Sequence, residues 1–297
     1  MADRDQNGFK GKRRAEQQTI AQGGNQRGLP RKRFYRARAH SNPLSDSHFP
    51  VPTSPADCDW TEHYPAYYES ESKKIPAISE NEAVEGEPIS DSGALAVPVH
   101  SGAPDLKVRF ADIGCGFGGL LVKLAVIFPD KLMVGMELRD KVSEYVKERI
   151  IALRAKHIGQ YENISVLRSN AMKYLPNYFE KGQLEKMFFL FPDPHFKEKN
   201  HRRRIISQAL LAEYAYVLAV GGIVYTITDV QELGEWMKSN LDAHPLFEPL
   251  SEEELAKDPV VELLSSATEE GQKVARNNGD TYRAIYRRIA KVEAAAA

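Results

Sequence analysis

The sequence of 297 residues is poor in cysteine and has no long apolar segment. Cys58 and Cys115 are its two cysteines, so neither a disulfide framework nor a zinc site is indicated. Its patterning predicts neither a signal peptide nor a membrane-spanning segment. We therefore expect a soluble protein of a reducing compartment that binds no metal ion and no membrane.

The chain also has little net charge, because two oppositely charged segments cancel. Residues 1–40 carry eleven Lys and Arg against three Asp and Glu, whereas residues 57–105 carry eleven acidic residues against two lysines. A basic arm of this kind predicts an anionic partner. Within residues 29–40 the cations alternate with Phe34 and Tyr35, a mixture that contacts phosphates and stacks on bases. A nuclear import signal and a solvated tail are the alternatives for this stretch.

Composition divides the chain into four parts. Residues 1–40 are predicted to be a basic, largely disordered arm. Residues 41–105 are predicted to be a proline-rich coil followed by a flexible acidic insertion. Residues 106–290 have the regular patterning of one α/β domain, and residues 291–297 are predicted to be a disordered tail.

Strand and helix patterns alternate from residue 106 onward, which is typical of a parallel sheet covered by helices on both faces. The predicted strands are 108–112, 132–138, 164–168, 187–191, 223–228 and 281–289. The predicted helices are 120–128, 140–156, 205–220 and 230–240. The third of these helices is expected to end at the glycine pair Gly221 and Gly222. Ligands of such sheets bind beyond the carboxyl ends of the strands.

The first strand runs into the glycine-rich turn D-I-G-C-G-F-G-G, which opens a helix. Glycines such as Gly114 and Gly116 let backbone N–H groups approach a ligand at a helix N-terminus, which predicts a nucleotide-type cofactor. The spacing also fits the dinucleotide fingerprint, so the glycines leave the nucleotide open. Asp112 favours S-adenosylmethionine, because its carboxylate can meet the ammonium group that a dinucleotide lacks. A turn that needs glycine only for packing is the alternative.

Polar residues follow the next two strands. Glu137 ends the second strand and is placed to accept hydrogen bonds from a ribose diol, with a surface pairing to Arg139 or Lys141 as the alternative. Asn170 and Ala171 follow the third strand and would border the adenine ring. Asn170 as a simple turn former is the alternative there.

Asp193 lies between two prolines directly after the apolar strand 187–191, so a stiff turn presents its carboxylate. Amino-directed methyltransferases use a related Asn/Asp-Pro-Pro-aromatic loop, but here His195 and Phe196 follow the second proline, which points to another target nitrogen. A dense group of cations comes next and predicts a polyanionic substrate, with a solvated helix face as the alternative. It consists of His195, Lys197, Lys199, His201, Arg202, Arg203 and Arg204.

Five ordered motifs resemble those of the tRNA (guanine-N7)-methyltransferases, and in particular their eukaryotic catalytic subunit. They are DIGCGFGG from Asp112, RSNAM from Arg168, FLFPDPHFK from Phe189, TITD from Thr226 and TEEG from Thr268. The resemblance implies an α/β, Rossmann-like class I methyltransferase fold with a mostly parallel seven-stranded sheet and helices on both faces. It implies transfer of a methyl group from S-adenosylmethionine to N7 of guanine 46 in the variable loop of tRNA.

Carried over position by position, the resemblance makes Asp193 the catalytic residue. The cofactor contacts it implies are Gly114, Glu137, Arg139, Asn170, Ala171 and Leu190, with Thr268 and Glu270 in an element that closes over the cofactor. The turn itself adds Asp112 and Gly116 to this group. The expected contacts with tRNA are His195, Lys197, Lys199, Arg202, Arg203 and Arg204. No metal ligand is expected.

Guanine N7 carries an in-plane lone pair and no proton, so its methylation needs no general base and depends on positioning and electrostatics. His195 is therefore interpreted as a platform for base stacking. The eukaryotic family members work with a non-catalytic WD-repeat propeller subunit as a heterodimer and are mainly nuclear, so we expect that partner and the nucleus, with the cytoplasm as a second compartment. A methyltransferase of another RNA or of protein, a non-catalytic RNA-binding subunit and a dehydrogenase are the alternatives.

Overall fold

The computed structural model describes residues 28–37, 41–45, 48–72 and 106–291. The predictions made for the rest of the basic arm, for the acidic insertion beyond residue 72 and for the tail beyond residue 291 lie outside these residues. Among the described helices, none has the length and apolar character needed to span a bilayer.

Sixteen helices and strands, apart from short 3₁₀ turns, make up the described part of the chain. The strands are β1 (Val108–Ile113), β2 (Leu132–Glu137), β3 (Ile164–Arg168), β4 (Leu184–Leu190), β5 (Leu218–Thr228), β6 (Phe247–Pro249) and β7 (Tyr282–Arg288). The helices of the first half are α1 (Pro65–Ser72), α2 (Gly119–Ile127), α3 (Asp140–Lys156) and α4 (Ala171–Tyr178). Those of the second half are α5 (Gln208–Val217), α6 (Gln231–Asp242), α7 (Glu252–Lys257), α8 (Val261–Ser266) and α9 (Glu269–Arg276).

The seven strands form one sheet in the order β3–β2–β1–β4–β5–β7–β6. The neighbours from β3 to β5 pair in parallel, and β7 runs antiparallel to both β5 and β6. The prediction of a mostly parallel seven-stranded sheet is therefore confirmed. Parallel pairing brings the carboxyl ends of β1 to β5 to one edge of the sheet, which is where the polar motifs of the sequence lie.

Apolar side chains fill both faces of this sheet, as a central strand such as β4 shows. Phe188 stacks on Tyr225 on one face, with ring centroids 4.9 Å apart. Phe189 packs against Tyr214 of α5 on the other face at 4.8 Å. Successive residues of a strand point to opposite faces, so a strand covered by helices on both sides reads as the unbroken apolar run seen in the sequence.

The predicted end of the third helix is wrong. α5 ends at Val217, and the glycine pair lies inside β5, where the pairing with β4 jumps from Leu184↔Leu218 to Lys186↔Ile223. The extra residues form a bulge, and Gly221 has a φ of 85° within it. The glycines thus accommodate an irregular strand instead of stopping a helix.

The described N-terminal segments lie against the domain. Tyr64 is fully buried, and its hydroxyl donates a hydrogen bond to the Met133 carbonyl at 2.8 Å. Trp60 stacks on Phe179, with ring centroids 6.3 Å apart. These contacts hold the segment 60–64 against the β2 and β3 side of the sheet.

Candidate active site

A cavity of about 630 Å³ lies at the carboxyl ends of the parallel strands. Its volume is in the range of pockets that hold a drug-sized ligand. Each of the first five strands contributes residues from its end or from the turn that follows. They include Gly114 after β1, residues 136–139 at the end of β2, residues 169–172 after β3, residues 190–196 after β4, and Asp229 and Val230 after β5.

The glycine turn borders this cavity at Gly114. This residue has a φ of 73°, a left-handed conformation that glycine adopts readily, and its N–H donates to the Met136 carbonyl at 2.8 Å. A Cβ built there would meet no atom within 4 Å, so the space in front of the turn is open to a ligand. At Gly119 the reverse holds, because a Cβ would lie 2.3 Å from the Ala267 carbonyl oxygen. The turn therefore serves both a ligand and close packing.

Glu137 lines the cavity with a carboxylate that is 4% exposed and fully hydrogen-bonded. Its Oε1 accepts from the Arg139 backbone N–H at 2.9 Å and from Arg139 Nε at 3.0 Å. Its Oε2 accepts from the Gly116 N–H at 3.1 Å and from Arg139 Nη2 at 3.0 Å. The ion pair raises the pKa of Arg139. The pairing with Arg139 considered from the sequence is thus present, but in the wall of a cavity and not on an open surface.

Asp112 lies in β1, two residues before Gly114, and does not line the cavity. Its carboxyl is 3% exposed, and burial together with the charge of Glu137 raises its pKa to about 7. A contact with the ammonium group of the cofactor stays a prediction for this residue.

Asn170 lines the cavity, but protein groups already use its side-chain amide. Its Oδ1 caps α4 by accepting from the Met172 N–H at 3.1 Å, and its Nδ2 donates to the Pro43 carbonyl at 2.6 Å. The turn-forming role therefore describes the observed geometry, and the recognition of an adenine edge stays a prediction. Ala171 and Leu190 also line the cavity.

The turn that carries Asp193 is held in an unusual backbone conformation. Phe191 and His195 have φ values of 50° and 46°, in the left-handed region that non-glycine residues rarely adopt. The His195 N–H donates to Asp193 Oδ1 at 3.2 Å, and His195 Nδ1 lies 3.8 Å from Asp193 Oδ2. Both side chains line the cavity. Strained residues of this kind cluster at functional sites, since the surroundings must hold them in place.

The predicted tRNA contacts differ in their exposure to solvent. Lys197, Lys199 and Arg202 are exposed in and beside the 3₁₀ turn Glu198–Arg203, and Arg203 lines the cavity. The prediction that Arg204 contacts tRNA is wrong, because its side chain is 0% exposed and cannot reach a phosphate from that position. Its guanidinium instead forms hydrogen bonds with other groups of the protein.

The C-terminal motif borders the cavity at one of its two predicted residues. Glu270 lines the cavity, and its Oε2 lies 3.4 Å from Nζ of Lys273, which lines it too. Thr268 lies outside the cavity wall and caps α9, where its Oγ1 accepts from the Gly271 N–H at 3.0 Å. The motif is thus a short capped helix beside the candidate site, and its closing over a cofactor stays a prediction.

Sequence reasoning missed the contributions of the residue after β5 and of the N-terminal segment to the cavity. Asp229 directly follows β5 and adds a carboxylate to the wall, although the TITD motif was assigned no role. An acidic residue at the end of the strand beside β4 was the signal that could have found it. Ser41 and Pro43 form part of the wall from the N-terminal segment, and no local signal in the sequence indicates their position.

These residues fit S-adenosylmethionine. The glycine turn leaves open space in front of Gly114, Glu137 offers a buried carboxylate in the cavity wall, and Leu190 supplies apolar surface. The strand order, the antiparallel β7, the glycine turn after β1 and the acid at the end of β2 together define a class I methyltransferase that uses this cofactor.

Comparison with known proteins identifies the family of the chain. A family model described as "Putative methyltransferase" matches residues 107–284. A protein of Arabidopsis thaliana is 66% identical over 89% of this chain and 94% of its own length, and one of Oryza sativa subsp. japonica is 65% identical over 89% and 93%. A protein of Mus musculus is 55% identical over 88% and 91%. All three are named tRNA (guanine-N(7)-)-methyltransferase, and the chain belongs to this family.

Proposed function

We propose that this protein transfers the methyl group of S-adenosylmethionine to N7 of a guanine in tRNA, at position 46 of the variable loop. The observation that carries the proposal is that the restrained turn of Asp193 borders the same cavity as Gly114 and Glu137. A cofactor and a base can therefore meet in one cavity. The names of relatives that match most of the chain support the choice of substrate.

The cofactor-holding residues of the proposal come from the strand ends described above. They are Asp112, Gly114, Gly116, Glu137, Arg139, Asn170, Ala171 and Leu190, with Thr268 and Glu270 from the C-terminal motif. When bound, S-adenosylmethionine supplies a methyl group made electrophilic by its sulfonium. The contribution of the chain is to hold both reactants close, in the correct orientation and away from water.

Asp193 holds the guanine in this proposal. Its two carboxylate oxygens match the ring N–H and the exocyclic amine on one edge of the base, which leaves N7 on the opposite side exposed to the methyl group. A carboxylate in this position also favours the cationic product. Asp229 places a second carboxylate in the same cavity, and His195 is next to Asp193 to stack on the base. The side chains thus orient the base without having to remove a proton from N7.

The exposed cations Lys197, Lys199 and Arg202 hold tRNA phosphates in this proposal, and Arg203 reaches the base from the cavity wall. The target base must leave its stacked surroundings, at a cost of a few kcal/mol that such phosphate contacts offset. We also propose a WD-repeat propeller as the non-catalytic partner and the nucleus as the main compartment. Both would be tested by purifying the tagged chain from cells and by imaging it.

The experiment that tests the function is mass spectrometry of nucleosides from tRNA incubated with the protein and methyl-labelled cofactor, with and without a propeller subunit. We expect label in N7-methylguanosine, and mass mapping of nuclease fragments of the same tRNA should locate it at position 46. Asp193→Ala should fold, bind the cofactor in a titration and lose most of this turnover. Label in another nucleoside would favour a different methyltransferase. Cofactor binding with no product in any arm would favour an RNA-binding subunit, and binding of NAD in its place would favour a dehydrogenase.

A further inference from the structure

A buried guanidinium lies directly behind the turn that carries Asp193. Nε of Arg204 donates to the Pro194 carbonyl at 3.0 Å. Its Nη1 and Nη2 donate to Oε1 and Oε2 of Glu232 at 2.8 Å and 2.6 Å. Its Cζ lies 4.8 Å from the centre of the Trp236 ring. Three acceptor atoms and one aromatic face thus surround a side chain that solvent does not reach.

These contacts connect the two strand ends that supply the Asp193 and Asp229 carboxylates of the cavity. Asp193 follows β4, whereas Asp229 follows β5, its parallel neighbour. Glu232 stands in the first turn of α6, three residues after Asp229. Because Arg204 binds both Pro194 and Glu232, it ties the turn after β4 to the helix after β5.

We propose that Arg204 is a positioning residue for methyl transfer, which sets the separation of the Asp193 and Asp229 carboxylates by joining Pro194 to Glu232. The inference rests on the proposed function, because those carboxylates are the groups assigned to the guanine. The turn needs such a restraint, since residues at both ends of its Asp193 segment have left-handed φ values.

The chemistry of the contact suits arginine and no other side chain. A guanidinium is planar and offers five donors in a fixed fork, so it serves a carbonyl and both oxygens of a carboxylate at once. Hydrogen bonding by Arg204 lowers the pKa of Glu232, so this carboxylate remains ionised and keeps accepting both bonds. A lysine would keep the charge but is a point donor that cannot satisfy the same three acceptors in the same geometry.

The test compares Arg204→Lys, Arg204→Met and Glu232→Gln with the wild-type protein. Glu232 is 57% exposed at its side chain, and the amide oxygen of the Gln variant can still accept one bond from Arg204, so we expect this variant to fold even if the arginine variants fail to fold. The matched control is Glu254→Gln, which alters a carboxylate that accepts from Arg287 at 2.6 Å and lies outside the cavity wall. Each variant is assayed for kcat, for KM with cofactor and with tRNA, for cofactor Kd and for thermal unfolding.

We expect Glu232→Gln and Arg204→Lys to lower kcat about ten- to a hundredfold, as misplacement of a reacting group by roughly 1 Å does. The cofactor Kd should stay within about twofold of the wild-type value, and Arg204→Met should lose more kcat than Arg204→Lys. The control should lose thermal stability and keep its kcat.

Two results would overturn the positioning role while the wild type remains active. One is an unchanged kcat in Glu232→Gln together with a loss of stability like that of the control. The other is a loss of cofactor affinity equal to the loss of kcat. A wild-type protein that forms no N7-methylguanosine would instead overturn the proposed function, and this inference with it.

Discussion

Arg139 contacts both carboxylate oxygens of Glu137, with Nε 3.0 Å from Oε1 and Nη2 3.0 Å from Oε2. The backbone N–H groups of Gly116 and Arg139 add one further donor to each oxygen. An ionised carboxylate has about four lone-pair sites, so these four donors fill it. A ribose diol can therefore bind Glu137 only when the Arg139 guanidinium releases at least one of its bonds.

This arrangement predicts the effect of Glu137→Gln on cofactor binding. The amide keeps the size of the side chain but loses one acceptor and the negative charge. We expect the Kd for S-adenosylmethionine to rise about ten- to a hundredfold, since a hydrogen bond to a charged group contributes about 1.5 to 3 kcal/mol. Isothermal titration measures it, with Glu162→Gln, which alters the carboxylate 3.2 Å from Arg154, as the control. An unchanged Kd would mean that Glu137 supports the turn and not the ribose.

Asp112 predicts a pH dependence of stability. Its pKa is about 7 in the folded protein, against 3.8 for the unperturbed group, because burial and then Glu137 disfavour its charge. The folded protein thus holds a proton that the unfolded chain has released, so this group stabilises the fold below pH 4 and that stabilisation is lost as pH rises to 7. Asp112→Asn removes the titration.

We expect the melting temperature of the wild type to fall by a few degrees more than that of Asp112→Asn between pH 5 and pH 8. Thermal unfolding in matched buffers measures the difference, and parallel profiles for the two proteins would contradict the assignment. The Asn variant should also bind S-adenosylmethionine more weakly at pH 8 if the carboxylate meets the ammonium group.

The order of the longer strands and helices was predictable because each of them has a local signal, whereas the short elements β6, α1, α4, α7, α8 and α9 were not predicted. Alternation of apolar runs with amphipathic stretches indicated the parallel sheet, and the glycine turn indicated its ligand-binding edge. The glycine pair at 221 and 222 misled the prediction, since a helix stop and a strand bulge use the same residue. Only the pairing of β5 with β4 distinguishes the two.

The sequence could not predict which groups the polar side chains bind. Asn170 binds a carbonyl of Pro43, which lies 127 residues away along the chain. In the run of cations that follows Asp193, one arginine turns inward because Glu232, 28 residues further on, accepts its bonds. A run of like charges predicts that all of its side chains face solvent on one surface. The inward position of this arginine depends on a tertiary contact, which the spacing of residues in the sequence does not indicate.

The three exposed cations after the Asp193 turn predict the salt dependence of tRNA binding. We expect the combined variant Lys197→Gln, Lys199→Gln, Arg202→Gln to reduce the slope of log Kd against log salt by about 2 units, since each phosphate contact contributes roughly 0.7 to 0.9. Binding titrations at several salt concentrations measure this slope. The matched control replaces three exposed lysines outside the cavity wall, Lys123, Lys156 and Lys257. Equal slopes for the two triple variants would place the tRNA on another surface.

The last prediction concerns the contact between α2 and the residues before α9. In Gly119→Ala the new Cβ would lie 2.3 Å from the Ala267 carbonyl oxygen and 3.5 Å from the Thr268 Cα, so the segment leading to Glu270 must move. We expect a loss of about 1 to 3 kcal/mol in unfolding free energy from overpacking. The cofactor Kd should also rise about tenfold if this segment helps to hold the cofactor.

Chemical denaturation and cofactor titration separate the two effects of Gly119→Ala. Gly28→Ala is the matched control, because a Cβ there meets no atom within 4 Å. Gly271→Ala approaches the same segment from the other side, with its Cβ 2.1 Å from the Ser265 carbonyl oxygen, and should reproduce both losses. A variant that loses stability but keeps the wild-type Kd would show that the C-terminal motif packs against the turn without contributing to cofactor binding.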